Sequence, residues 1–181
     1  QAANTANIRA DLNSTEAKIL KRKLIENALT LVSNKNNLIP LQNLDKTKIA
    51  TLRIGVATST PFQNSLNKYG PMRHYQTGKE INEKQFPALI KNLKNNDIVI
   101  VGLHQMNNSA SKGYGISRST RMFLKGLSAE TKVIITVFGN PYALKYFDEA
   151  DYVLATYEAD EMTQDLAAQA LFGVNAIKGR L

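Results

Sequence analysis

The chain has 181 residues, 43% of them hydrophobic and 21% charged, which is enough apolar material for one buried core and too much for a disordered chain. No apolar run approaches the ~18–20 residues needed to span a bilayer, no basic-then-apolar leader is visible, and a cysteine count of 0 excludes disulfides, thiolate metal sites and cysteine nucleophiles. The net charge of +8 is unevenly spread: residues 1–129 hold 19 basic and 7 acidic residues, whereas 130–181 hold 4 and 8. Residues 1–12 lack apolar periodicity and read as an arm. A helix is predicted from Asn13, with Glu16 three residues on as its capping-box partner. Ala17, Leu20, Leu24 and Ala28 give that helix an apolar stripe. Ala28 to Val32 reads as a short strand, Asn34-Lys35-Asn36-Asn37 as a turn, and Leu38-Ile39-Pro40-Leu41 as an extended apolar tail.

From there the chain alternates. Ile49 to Ala57 reads as a strand. Thr60-Pro61 opens a short helix that Gly70 ends. Met72 to Thr77 is a weaker strand, and Pro87 to Asn95 a helix. Asp97 to Leu103 is a nearly continuous apolar strand, followed by a long polar, mobile loop from His104 to Ile116. Ser117 caps a helix through Leu127, and Lys132 to Phe138 is the next strand. Asn140-Pro141 repeats the cap-then-proline signal for a helix to Phe147. Tyr152 to Thr156 is the last strand. Asp160 caps a final helix closed by Gly173.

Continuous apolar strands are buried on both faces, and short connections demand right-handed crossovers. The expected fold is therefore α/β: a three-layer α/β/α sandwich around a mainly parallel sheet of five to six strands. Residues 13–41 are expected to add a linker helix and an edge strand packed on the domain formed by 42–181. There is no internal repeat and no low-complexity segment.

In such sheets the usable face lies at the carboxyl ends of the strands. That rim holds Thr58, Ser59, Thr77, His104, Gln105, Gly139, Asn140, Tyr157 and Glu158. His104 begins the longest loop, and its plain reading is a surface histidine bonded to backbone. His74, beside Arg73 on a weaker strand, is a lesser candidate. Gly113-Tyr-Gly115 before Ser117-Arg118 resembles a phosphate cradle only superficially, because about ten residues separate it from the strand, whereas a dinucleotide loop places its glycines directly between strand and helix. The helix start at Ser117, with Arg118 and Arg121, suits an anion or the carboxylates of another domain. Residues 98–129 contain no Asp or Glu, so no catalytic carboxyl group can come from there. Asp160, Glu161 and Asp165 are explained by the positive end of a helix dipole. There is no Gly-x-Ser-x-Gly elbow and no metal-ligand spacing. The basic residues are scattered singly, apart from Lys21-Arg22-Lys23, without interleaved stacking aromatics. They read as a solvated basic face, and no nucleic-acid partner is expected.

Three segments together resemble the C-terminal α/β domain of glycoside hydrolase family 3. They are Asn27-Ala-Leu-Thr-Leu-Val-Ser-Asn-Lys-Asn-Asn-Leu-Ile-Pro-Leu41, Val133-Ile-Ile-Thr-Val-Phe-Gly-Asn-Pro-Tyr142, and Gln164-Asp-Leu-Ala-Ala-Gln-Ala-Leu-Phe-Gly173 continuing to Leu181. The Gly-Asn-Pro-Tyr form is most similar to the β-N-acetylglucosaminidase branch. The resemblance implies an accessory domain whose partner is an N-terminal (β/α)8 barrel of the same parent protein. The nucleophilic aspartate belongs to that barrel. It implies no cofactor, no metal and no catalytic residue in this chain. The glutamate that the β-glucosidase branch carries on the loop matching His104–Ile116 has no counterpart here. In the glucosaminidase branch the acid/base is a histidine on a barrel loop, which His104 does not match. The expected contacts to carbohydrate or barrel are His104, Gln105, Lys112, Arg118 and Asn140. The resemblance points to a periplasmic or extracellular location. The alternative is a free-standing flavodoxin-like module that binds a small sugar or anion at the strand ends.

Overall fold

The computed structural model describes residue 8 and residues 12–181. Most of the expected arm over 1–12 lies outside the described residues. Helix α1 spans Thr15–Ala28, and its N-cap is Ser14, whose Oγ accepts from the Ala17 N–H at 3.1 Å. The cap therefore stands one residue beyond Asn13, and Glu16 is out of capping-box register. The expected stripe is also displaced, since Leu20 and Leu24 are 58% and 63% exposed while Ile25 is buried. Ile25 joins Leu29, Ile39 and Leu166 in the core, and that burial sets the inward face. Arg22 Nη2 donates to Gln169 Oε1 at 3.1 Å and Lys21 Nζ lies 3.3 Å from Asp160, exposed contacts at the edge of that packing.

The strands are β1 (Thr30–Asn34), β2 (Ile49–Ile54), β3 (Arg73–Thr77), β4 (Ile98–Leu103), β5 (Lys132–Val137) and β6 (Tyr152–Ala155). They form one six-stranded sheet in the order β1-β6-β5-β4-β2-β3. Every pairing is parallel except β1 with β6, which is antiparallel and bulged between Leu31 and Ser33. β4 is buried at all six positions. Its residues alternate between the two faces, so each face needs its own helix layer.

One layer contains α3 (Phe86–Leu93), α4 (Arg118–Ser128) and a 3₁₀ turn over Pro141–Tyr146. Their Leu93, Phe123, Leu127 and Leu144 pack on Leu52, Val99, Val101 and Ile135. The other layer contains α1, α2 (Pro61–Leu66) and α5 (Glu161–Leu171), whose Ile25, Phe62, Leu66 and Leu166 pack on Ile98, Ile100, Ile134 and Leu154. The fold is a three-layer α/β/α sandwich with an N-terminal helix and edge strand. Asn34 fastens that edge by a two-way amide bond to Ile39: its Nδ2 donates to the Ile39 carbonyl at 2.7 Å, and its Oδ1 accepts from the Ile39 N–H at 3.0 Å. Ile39 and Leu41 are buried beyond it.

Two segments differ from expectation. After Asn140-Pro141 the chain makes a 3₁₀ turn, not an α-helix, with the Ala143 N–H on the Asn140 carbonyl at 3.2 Å and the Phe147 N–H on the Leu144 carbonyl at 2.8 Å, each spanning three residues. The segment 104–116 is not an open loop. It folds into short 3₁₀ turns over Ala110–Gly115, broken where Gly113 and Tyr114 take left-handed φ of 58° and 55°, and is tied by Asn107 N–H to the Tyr114 carbonyl at 3.1 Å and Tyr114 N–H to the Ser109 carbonyl at 2.9 Å.

Candidate functional site at the strand ends

The parallel strands β2, β4, β5 and β6 all end at one rim, and the segments that leave them build its surface. His104 follows β4 directly, and its N–H continues the ladder to the Ile54 carbonyl at 3.0 Å. Its side chain does not face solvent. It is 6% exposed and stacks on Phe138, with centroids 4.8 Å apart and planes at 11°. Phe62 meets Phe138 edge-on at 5.0 Å. This corrects the reading of His104 as a surface histidine. The strand period explains the geometry, because residues two apart point the same way. The His104 ring lies over position 102, where only glycine leaves room. A Cβ on Gly102 would sit 2.6 Å from His104 Nε2 and 3.3 Å from the Phe62 ring. Burial, and then the charge of Arg53, pull the His104 pKa down to about 4. The imidazole is therefore neutral at pH 7, and its Nε2 has no hydrogen-bond partner among the described residues.

Gln105 is exposed, adopts a left-handed φ of 53°, and its carbonyl accepts from Lys79 Nζ. Asn140 is half-buried, with both ends of its amide engaged. Oδ1 accepts from the Tyr142 N–H at 2.9 Å and Nδ2 donates to Asn108 Oδ1 at 3.1 Å. Lys112 is exposed on the 3₁₀ turn, and Arg118 is exposed as the first residue of α4. The rim thus joins Asn140 to the 105–108 segment, while His104 faces inward beneath it. Among the described residues, no hydrogen bond links Lys112 or Arg118 to Gln105 or Asn140.

A polar network beneath α2 escaped the sequence reading. Arg53 Nη1 donates to Gln63 Oε1 at 2.9 Å, and Nη2 donates to the Ala57 carbonyl at 2.8 Å and to Gln76 Oε1. Gln63 Nε2 donates to Thr51 Oγ1 at 2.7 Å, which lies 2.6 Å from His74 Nδ1. A hydroxyl keeps a second lone pair beside its proton, so Thr51 can serve Nδ1 as donor or as acceptor according to the ring tautomer. Desolvation, and then Arg53, lower the His74 pKa and so favour the neutral ring. The available signal was an arginine inside the apolar run Ile49-Ala-Thr-Leu-Arg-Ile54.

Chemically, the rim offers amides, backbone groups and dispersed cations. Among the described residues, no group of three His, Asp or Glu side chains is placed to hold a metal ion. No described helix is long and apolar enough to cross a membrane.

No family model and no curated protein matches the chain. Solved structures do match. A fungal multi-domain family 3 β-N-acetylglucosaminidase, described as containing a GCN5-related glucosamine N-acetyltransferase region, is similar over 100% of this chain and 20% of its own length, with 22% identity and a TM-score of 0.73. A family 3 β-N-acetylglucosaminidase from Paenibacillus sp. str. FPU-7 is similar over 99% of this chain and 35% of its own, at 17% identity and a TM-score of 0.72. A β-glucosidase from Listeria innocua, solved with isofagomine, is similar over 92% of this chain and 26% of its own, at 21% identity and a TM-score of 0.67. At such identities the likeness establishes fold. The chain spans between a fifth and about a third of these matched chains, and in each the shared fold is part of a larger protein.

Proposed function

We propose that this chain is the accessory α/β domain of a family 3 glycoside hydrolase, joined to a (β/α)8 barrel that cleaves β-N-acetylglucosaminides. The observation that carries the reading is the full-length fold match to two β-N-acetylglucosaminidases, over 100% and 99% of this chain, as one part of longer enzymes. The Gly139-Asn140-Pro141-Tyr142 turn at the rim supports that branch over the β-glucosidases. A retaining glycosidase needs two groups flanking the scissile bond. In this reading the barrel supplies both. The rim shapes the pocket mouth through Gln105, Lys112 and Asn140, and Arg118 docks against the barrel. His104 holds the rim from below by packing.

The test is direct. The purified 181-residue chain is incubated with the chromogenic N-acetyl-β-glucosaminide and β-glucoside of nitrophenol. No release above buffer is expected from either. Release that one substitution within this chain abolishes would place the catalytic groups here and end the proposal. Reading the gene upstream of Gln1 supplies the second arm, in which a barrel is expected.

A further inference from the structure

We infer that the groove between α4 and the segment 141–152 is a docking surface for a short acidic stretch of another polypeptide. This goes beyond the accessory-domain reading and shares only Arg118 with it, so its test reads peptide binding by this chain and not glycosidase activity. The groove is open, has a volume of about 1010 Å³, and its lining includes Met122, Leu124 and Phe147. Arg118, Arg121 and Lys145 line it too, as do Glu130, Glu149 and Asp151. Of the four acids on the lining, three are ion-paired and Asp148 is not. Glu130 pairs with Lys94 at 2.9 Å, Glu149 with Lys125 at 2.9 Å, and Asp151 with Lys35 at 3.0 Å. Among the described residues none of Arg118, Arg121 and Lys145 lies in an ion pair.

Their arrangement favours carboxylates. The Arg121 guanidinium lies 4.2 Å over the Tyr146 ring, and Lys145 Nζ lies 5.2 Å from the same ring centre. Among the described residues no carboxylate takes the guanidinium N–H groups, which suit a planar, bidentate acceptor. Arg121 Nε makes only a long bond, 3.4 Å, to the Ser117 carbonyl. Arg118 stands one helical turn earlier on the same side of α4. Two cations share one aromatic ring with no counter-charge between them, so an incoming carboxylate relieves their repulsion. The apolar lining favours a peptide side chain beside that carboxylate over a bare inorganic ion.

The experiment measures fluorescence anisotropy of labelled hexaglutamate with the full chain at about 50 mM salt, where exposed charges are weakly screened. Saturable binding is expected, with none for labelled hexaglutamine. Replacing Arg118, Arg121 and Lys145 together by alanine should weaken it about tenfold. A charge-matched control that replaces the exposed Lys46, Lys84 and Lys91 by alanine should retain it. If the triple variant fails to fold by circular dichroism, Arg118→Gln alone should still weaken binding about threefold. Absence of binding would overturn the inference, as would equal loss in the control, which would reduce the effect to net charge. Displacement by equimolar inorganic phosphate would reassign the groove to simple anions. Tighter binding of oligothymidylate through the same residues would reassign it to nucleic acid.

Discussion

The side chain at position 104 makes acid sensitivity a local property. The neutral imidazole is the buried form, and its folded pKa of about 4 lies below the unfolded value of 6.5. A depressed pKa on a basic group means that the unfolded chain takes up the proton first. Stability from this group is therefore whole above pH 6.5 and falls as pH drops toward 4. The full loss is roughly 3 kcal/mol from the size of the shift. Urea titrations at pH 7, 5.5 and 4 measure it, and His104→Gln, which cannot titrate, should flatten the pH dependence. Parallel curves for the two proteins would exclude His104 as the source. The glycine beneath the ring gives a second, independent measurement. Gly102→Ala forces a methyl group against the imidazole and Phe62, and should cost about 1–3 kcal/mol by overpacking. At this scale the sequence was a poor guide. It located His104 at a strand end but could not tell that the ring folds back over Gly102, because that depends on Phe138 arriving from the neighbouring strand.

Among the elements, α5 is the best anchored. Asp160 Oδ1 accepts from the N–H groups of Met162 and Thr163 at 3.0 and 3.3 Å, and Oδ2 accepts from Thr163 Oγ1 at 2.9 Å. Burial raises its pKa, but these bonds and Lys21 outweigh burial and hold the carboxyl below its usual value. Asp160→Ala should cost about 1 kcal/mol in denaturant titration, and Asp160→Asn distinctly less, since an amide oxygen still caps. Equal losses would assign the effect to the exposed pairing with Lys21. Caps with a strong local signature were legible in the sequence, as Ser117 and Asp160 show. Asn13 was not, because Ser14 stands beside it and either residue type can cap. The stripe on α1 misled for another reason. Periodicity reports which residues share a face, but only tertiary contact decides which face turns inward, and here the packing of Ile25 with Leu29, Ile39 and Leu166 decides it.

For the molecule as a whole, two helix layers share one sheet, so neither can unfold alone. Ile100 is fully buried on one face of β4 and Val101 on the other. Ile100→Ala should cost about 2–5 kcal/mol and Val101→Ala somewhat less. In both variants far-UV dichroism and tyrosine fluorescence should shift together as a single transition. Separated transitions would mean that the layers unfold independently. The layered architecture was the most legible feature, since continuous apolar strands separated by helical periods admit few arrangements. The rim's polar contacts were the least legible, because residues such as Asn108 and Asn140 are brought together only by the completed sheet. The reversed edge strand carries one more consequence. Because β1 runs against β6, Thr30 pairs with Ala155, and its hydroxyl accepts from the Tyr157 phenol at 2.9 Å. The junction between α1 and the sheet is thereby delivered to the end where the parallel strands terminate. Had β1 run the other way, that junction would lie at the opposite pole. As built, the last turn of α1 and the carboxyl-end rim share one shore.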